Sequence, residues 1–404
     1  MKTKTSGVLF YLSLIGFFGI FTTTISKNPV LPYLVKSLGA SDQVLGLIAF
    51  VSPFAGILFS FPVGVLADKI GKKTLLLVSA GVFVSAPLLY LLVTNAWLLI
   101  PVRFFHGMAT AILGPIASAI IAGAFEKNKG EKLGTYSSVT LVGRTLAPLT
   151  GGLIISIFAG QGDLFSYRAV YVAAFVMSLP VLIAAFFVTT GEVVVKKSLT
   201  VKDFFVSLNK ILCNRVILAT ALVDLAIYFA FGIFETFSPG YLKDAGFSPK
   251  TVGFIFSIQI VSIALTKPFF GRLADKIDKR YQIAGGLMAI AVSIGAVPFL
   301  SSLPLIIAAS LLLGLGMSFS TVATSAYVAD VAKKEELGAS MGALSSIMDL
   351  GHSTGPLIGG FAIVLFGSAG SFLAGGAVAV IVVFLFTMIS FARPRRSRQA
   401  KVSP

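Results

Sequence analysis

The 404-residue sequence predicts an all-α integral membrane protein, with twelve transmembrane helices forming two pseudo-symmetric six-helix bundles. Three observations carry that expectation. The chain is 56% hydrophobic and only 12% charged, with 36 Phe and a mean hydropathy of +0.95, more apolar than a water-exposed surface tolerates. Apolar stretches long enough to cross a hydrocarbon layer of about 30 Å, which takes about 20 residues of helix, recur twelve times. Finally, the polar knot "GVLADKIGKK" at 64–73 returns as "GRLADKIDKR" at 271–280, an offset of 207.

The first stretch, 8–35, follows Lys2 and Lys4 and runs past Ile25 without a small-residue cleavage site, so it is expected as a retained span. Further stretches fall at 43–63, 75–95, 97–122, 133–160 and 168–190, then at 216–241, 250–270, 281–300, 304–329, 337–366 and 369–391. They are too long and unbroken for barrel strands, and a helix is the other way to satisfy backbone N–H and C=O groups in lipid. Between the sixth and seventh, residues 191–215 alternate lysines with apolar groups, as suits a cytoplasmic linker with a short interfacial helix. The expected divisions are therefore 1–190, the linker 191–215, 216–392, and a basic cytoplasmic tail at 393–404.

Charge sets the expected orientation. With the amino terminus inside, 24 of the 32 Lys and Arg fall in cytoplasmic segments, and four (Lys36, Arg168, Lys243 and Lys250) fall in outer loops. By the positive-inside rule both termini are cytoplasmic, in a plasma (inner) membrane, and the net charge of +16 reflects topology and contact with anionic lipid. No aromatic-basic patch accompanies it, so nucleic acid is not expected as a partner. Cys213, the single cysteine, cannot form an intramolecular disulfide.

The duplication extends beyond the polar knot. Gly134, Gly143, Ala147-Pro148 and Gly151-Gly152 recur at an offset of 208 as Gly342, Gly351, Gly355-Pro356 and Gly359-Gly360. Two halves of the same hand, related by duplication, place a solute site where they meet. At this point the chain resembles the major facilitator superfamily over essentially its whole length. Residues 64–73 are similar to that family's loop motif between helices two and three, and 271–280 to its copy between helices eight and nine. "RFFHGMATA" from Arg103 resembles the helix-four motif, with His106 where glutamine is usual. The Gly134–Gly152 spacing resembles the helix-five motif of antiporters, with Ala147 replacing a glycine, and "NPVLP" at 28–32 resembles the proline pair ending helix one of twelve-helix drug/proton exporters.

The resemblance implies a cytoplasmic latch in which Asp68, with Lys72 or Lys73, meets an acid at the end of span four, Glu126; Asp275 and Asp330 mirror it in the second half. Gly64 and Gly71 allow tight turns, and Gly271 belongs to the copy of the latch. The alternative is a plain turn whose lysines only obey the charge rule. Gly143, Pro148, Gly151, Gly152, Gly351, Gly355, Pro356, Gly359 and Gly360 permit close packing and bending, and the resemblance adds gating.

Ionisable residues within spans are functional candidates by default. Lys27 and Glu235 are 208 apart, hence at equivalent depths on opposing halves; they either pair to close the outer mouth or snorkel separately. Asp224 lies three turns, about 16 Å, nearer the cytoplasm than Glu235. A carboxylate in low dielectric holds its proton more firmly than in water, which makes Asp349, Asp224 and Glu235 candidates for proton coupling. The alternative ties Asp349 permanently to Arg144 or His352, and Asp224 to Lys267. Arg103, Arg144, Lys267 and Lys27 are candidates for the solute cavity, as are His106 and His352, each of which also reads as a packing histidine. Span one holds no acid, unlike many drug exporters, and positive groups in the first half facing acids in the second favour an anionic or zwitterionic solute over a purely cationic drug.

These readings predict a monomeric secondary transporter working by alternating access, exporting a small organic solute against inward proton flow, with no cofactor beyond the proton gradient. Uptake or exchange of an anionic or zwitterionic metabolite is the first alternative, and a membrane sensor or assembly factor of the same fold the second. No Gly-Lys-Ser/Thr phosphate loop argues for an ATPase. Two histidines and one cysteine offer neither a metal cluster nor a catalytic triad, so an enzyme is not expected.

Overall fold

The computed structural model describes residues 2–125, 128–189, 215–331 and 337–391. The linker at 191–215, except its last residue, the tail at 393–404 and Glu126 lie outside the described residues. The first half comprises α1 (Lys2–Ile25), α2 (Val30–Ser37), α3 (Asp42–Ile70), α4 (Lys72–Leu91), α5 (Leu99–Ala124), α6 (Lys129–Ile157) and α7 (Asp163–Phe187). The second comprises α8 (Arg215–Asp244), α9 (Pro249–Ala274), α10 (Lys279–Ala296), α11 (Leu303–Val331), α12 (Leu337–Phe366) and α13 (Ser368–Phe391). Eleven helical stretches, one of them α1 and α2 together, are long and apolar enough to cross a bilayer, and the 30-residue α12 occupies the place of the remaining span.

Expected span one is broken. Residues 26–29 form a turn between α1 and α2, and Pro29 removes a backbone donor there, so Lys27 sits at a helix break and not on a continuous helix. Elsewhere the helices outrun the apolar stretches. α3 continues through Gly64 to Ile70, which corrects the expectation that Gly64 turns the chain, and α9 likewise continues through Gly271 to Ala274. The turn falls on Gly71, whose φ of 87° suits glycine. The second half makes the same turn differently: Asp278 caps α10, accepting from the Arg280 N–H at 3.0 Å. The caps opening the second helix of each half match as well, Ser41 accepting from the Val44 N–H and Ser248 from the Thr251 N–H.

Within the first half α3 packs on α5, α1 on α6 and α4 on α7; within the second, α8 packs on α12, α10 on α11 and α13, and α9 on α11. The halves meet along two seams, α6 against α9 and α3 against α12. An even number of crossings puts Lys2 and Phe391 on one face, called here the terminal face. At that face the first helix after each polar knot braces the last helix of its own half. Lys73 Nζ donates to the C=O groups of Ala185, Phe186 and Val188 at 2.5–2.7 Å, and Arg280 Nη1 donates to the Ser390 C=O at 2.7 Å. A helix end leaves four carbonyls without partners and partial negative charge, which these cations satisfy.

Candidate functional site

The seams follow from glycine. A Cβ on Gly253 would strike the Pro148 carbonyl, and one on Gly152 the Pro249 carbonyl. In the mirror seam a Cβ on Gly46 would strike the Pro356 carbonyl, and one on Gly360 would meet the Asp42 C=O at 2.9 Å. Each seam is thus a reciprocal glycine-to-backbone contact, which brings the axes closer than any larger residue allows. The remaining motif glycines serve other contacts: Gly143 and Gly151 pack on α1 and the turn after it, Gly351, Gly355 and Gly359 on α8, all within one half. Ser257 adds a hydrogen-bonded stitch. Its Oγ donates to the Thr145 C=O at 2.6 Å and accepts from the Leu149 N–H at 3.2 Å, entering the ladder of α6 beside Pro148.

The seam contacts lie toward the face opposite the termini, and an ionic layer completes the closure there. Glu235 pairs with Lys27, accepts from Asn28 Nδ2 at 2.8 Å and lies 2.8 Å from His352 Nε2. Nearer the rim, Lys36 pairs with Asp244 at 3.0 Å, and Lys243 with Asp163 at 3.1 Å while donating to the Tyr167 hydroxyl at 2.9 Å. Two of these pairs, Lys27–Glu235 and Lys36–Asp244, join residues 208 apart. Each residue therefore meets its own counterpart in the repeat, which puts both pairs close to the pseudo-twofold axis.

Beneath this roof lies a cavity of about 410 Å³ between the halves. Lys27, Arg103, Arg144, Glu235, Lys267, Asp349 and His352 line it, together with Thr23, Tyr228 and Gln259. Glu235, Lys27 and His352 bond to one another; among the described residues Arg144, Lys267 and Asp349 make no hydrogen bond or salt bridge. Asp349 is therefore not tied to Arg144 or His352, the alternative the sequence left open. Arg103, 1% exposed, leaves Nε and Nη1 without partners, and both amide atoms of the fully buried Gln259 are likewise unpartnered.

Two candidates lie elsewhere. His106 is buried behind the cavity wall, 3.3 Å from Thr23 Oγ1 and 3.4 Å from the Tyr90 hydroxyl, and does not line the cavity. Asp224 is fully buried toward α11, where Thr324 donates to its Oδ1 at 2.8 Å, while Oδ2 has no partner and Lys267 does not reach it. The burial of both follows from their helix faces, which pack on neighbours within their own half. In the polar knots, Lys279 pairs with Asp330 at 2.9 Å, so the second-half clasp joins α10 to α11 through a lysine; Asp275 ends α9 without a side-chain bond among the described residues. Among the described residues Lys72, the counterpart of Lys279, reaches only the Ala119 C=O at 3.5 Å, and the proposed partnership of Asp68 with Glu126 falls outside the side chains described.

Comparison with known proteins accords with this architecture. The profile of the Major Facilitator Superfamily matches residues 12–249 and 225–404. A multidrug resistance protein MdtG of Proteus mirabilis is 27% identical over 400 residues, covering 95% of this chain and 96% of its own length. An uncharacterised MFS-type transporter of Methanocaldococcus jannaschii is 24% identical over 383 residues, covering 93% and 96%. Among solved structures, an inward-facing, unoccupied bacterial homologue of the human lysosomal transporter Spinster superposes with a TM-score of 0.82 at 16% identity, over 98% of this chain and all of that one. The nucleoside transporter NupG superposes equally well, at 13% identity over 95% and 99%.

Proposed function

The chain belongs to the Major Facilitator Superfamily and is a multi-pass membrane transporter, not an enzyme; from that premise we propose that it exports a small organic solute in exchange for protons, by alternating access. The terminal face is cytoplasmic on the charge distribution of the loops, so the sealed face looks outward and the cavity loads from the cytoplasm of a plasma membrane. Opening outward requires the two glycine seams and the ionic roof to part while the terminal face closes. Protons supply the energy, and no cofactor enters the cycle.

The observation that carries the proposal is Asp349: a carboxylate in the cavity wall, three residues before His352, with no hydrogen bond or salt bridge among the described residues. Ionised, it holds a cationic or donor group of the solute with full negative charge; protonated, it loses that charge and keeps only a neutral carbonyl acceptor. Solute donor and proton therefore compete at one group, which is the elementary requirement of exchange. The multidrug relatives support the outward direction. A second reading, uptake or exchange of an anionic or zwitterionic metabolite, is favoured by the surplus of cationic side chains around the same cavity.

Reconstituted vesicles under an imposed proton gradient test the proposal with organic cations, anions and neutral compounds in turn. Export by exchange moves protons opposite to the solute; movement in the same direction supports the second reading. No solute-dependent proton movement with any class overturns proton coupling altogether.

A further inference from the structure

We propose that the cavity contains an anion subsite built by Arg103, Arg144 and Gln259, and that the transported solute carries a carboxylate, sulfonate or phosphonate group. This rests on reading the cavity as the solute site and not on the direction of transport or the sign of proton coupling.

Arg103 supplies the first argument. Its side chain is 1% exposed, lines the cavity, and leaves Nε and Nη1 without acceptors. Burying guanidinium donors with nothing to receive them is costly, and the oxygens of an anion supply charged acceptors for them. Gln259 supplies the second. It reaches the same cavity from the other half, is fully buried, and has an amide N–H₂ and C=O that both lack partners. The amide can donate to the anion and accept from a hydroxyl or amine nearby on the same solute.

The charge of the lining is the third argument. Lys27 is matched by Glu235, which leaves Arg103, Arg144 and Lys267 facing one carboxylate, Asp349. A solute cation would have to enter beside three like charges, whereas an anion is drawn in, first past the exposed Lys267. Arg103 and Arg144 belong to the first half and Gln259 to the second, so a bound anion bridges the parts that move.

The test measures binding to the full-length protein in lipid nanodiscs by calorimetry and thermal shift, using four probes of one shape: naphthalene-2-carboxylate, naphthalene-2-sulfonate, 2-naphthamide and 2-naphthylmethyl-trimethylammonium. The two anions bind and compete with each other, and the amide and ammonium bind at least about tenfold more weakly. Arg103→Gln and Arg144→Gln each weaken anion binding by about tenfold or more, and Gln259→Leu weakens it less. Should Arg103→Gln fail to fold, Arg144→Gln decides, because that side chain is exposed to the cavity. Ammonium binding as tight as that of the anions overturns the inference, as does anion binding unchanged by Arg144→Gln, or no anion binding at millimolar concentration. Loss of transport in vesicles with anion binding intact strikes the proposed function and leaves the subsite standing.

Discussion

Replacing Glu235 by Gln removes the charge at the centre of the ionic roof while keeping its shape. The side chains of Lys27 and Glu235 are only 14% and 12% exposed, so the pair is shielded from water and salt, and the lysine left behind is a buried charge without a counterion. Breaking a buried pair costs about 3–5 kcal/mol. His352 Nε2 lies 3.3 Å from Lys27 Nζ and recovers part of that, so the cost to the sealed state is about 2–3 kcal/mol, within the range for hydrogen bonds to charged groups. At about 1.4 kcal/mol per tenfold, the balance moves toward the outward-open state by about 30- to 150-fold. Spin labels at Ser37 and Ala245, exposed positions on opposite halves of the sealed face, read this as a longer interlabel distance in a Cys213→Ala background. Combining Lys27→Glu with Glu235→Lys restores the short distance, because the pair sits near the pseudo-twofold axis and the Asn28 amide, whose Oδ1 is unpartnered, can turn to accept from the new lysine. An unchanged distance in Glu235→Gln, or a double reversal no shorter than either single one, rules out the Lys27–Glu235 pair as a clasp on the sealed face.

Other contacts give separable outcomes. Gly152→Ala and Gly360→Ala place a methyl against backbone across the seams and lengthen the same distance by destabilising closure by about 1–3 kcal/mol, whereas Gly134→Ala, with open space around its Cβ, leaves it unchanged. Ser257→Ala removes the hydroxyl that bonds both the Leu149 N–H and the Thr145 C=O, at about 0.5–1.5 kcal/mol, so hydrogen exchange at the Leu149 amide accelerates relative to amides elsewhere in α6. Lys73→Gln removes the charged brace on the end of α7 and lowers stability by about 1 kcal/mol, read as a lower melting temperature with unaltered anion binding.

Hydropathy locates the spans, because lipid demands long apolar helices, and the 207–208 offset relates the two halves from sequence alone. That offset also set Lys27 opposite Glu235, since a repeat puts equivalent residues at one depth. Helix ends are less legible: Gly64 looks like a turn residue in a polar knot, yet helical hydrogen bonding carries both α3 and α9 several residues past the apolar stretch. Gly46, Gly253 and Ser257 gave no sequence signal, because a small residue in an apolar helix looks the same whether it faces lipid or another backbone. Gln259 carries no charge to mark it within an apolar helix, and a neutral amide without a partner is visible only once its surroundings are known. The inward burial of Asp224 and His106 depended on helix rotation, which a uniformly apolar helix does not encode.

The most direct test of the account compares Asp349→Asn with the unmodified protein in proteoliposomes under an imposed proton gradient, following proton and solute fluxes together. The variant is expected to lose gradient-driven accumulation and solute-dependent proton movement, while still equilibrating solute down its own gradient. Full proton-coupled accumulation by Asp349→Asn would contradict it.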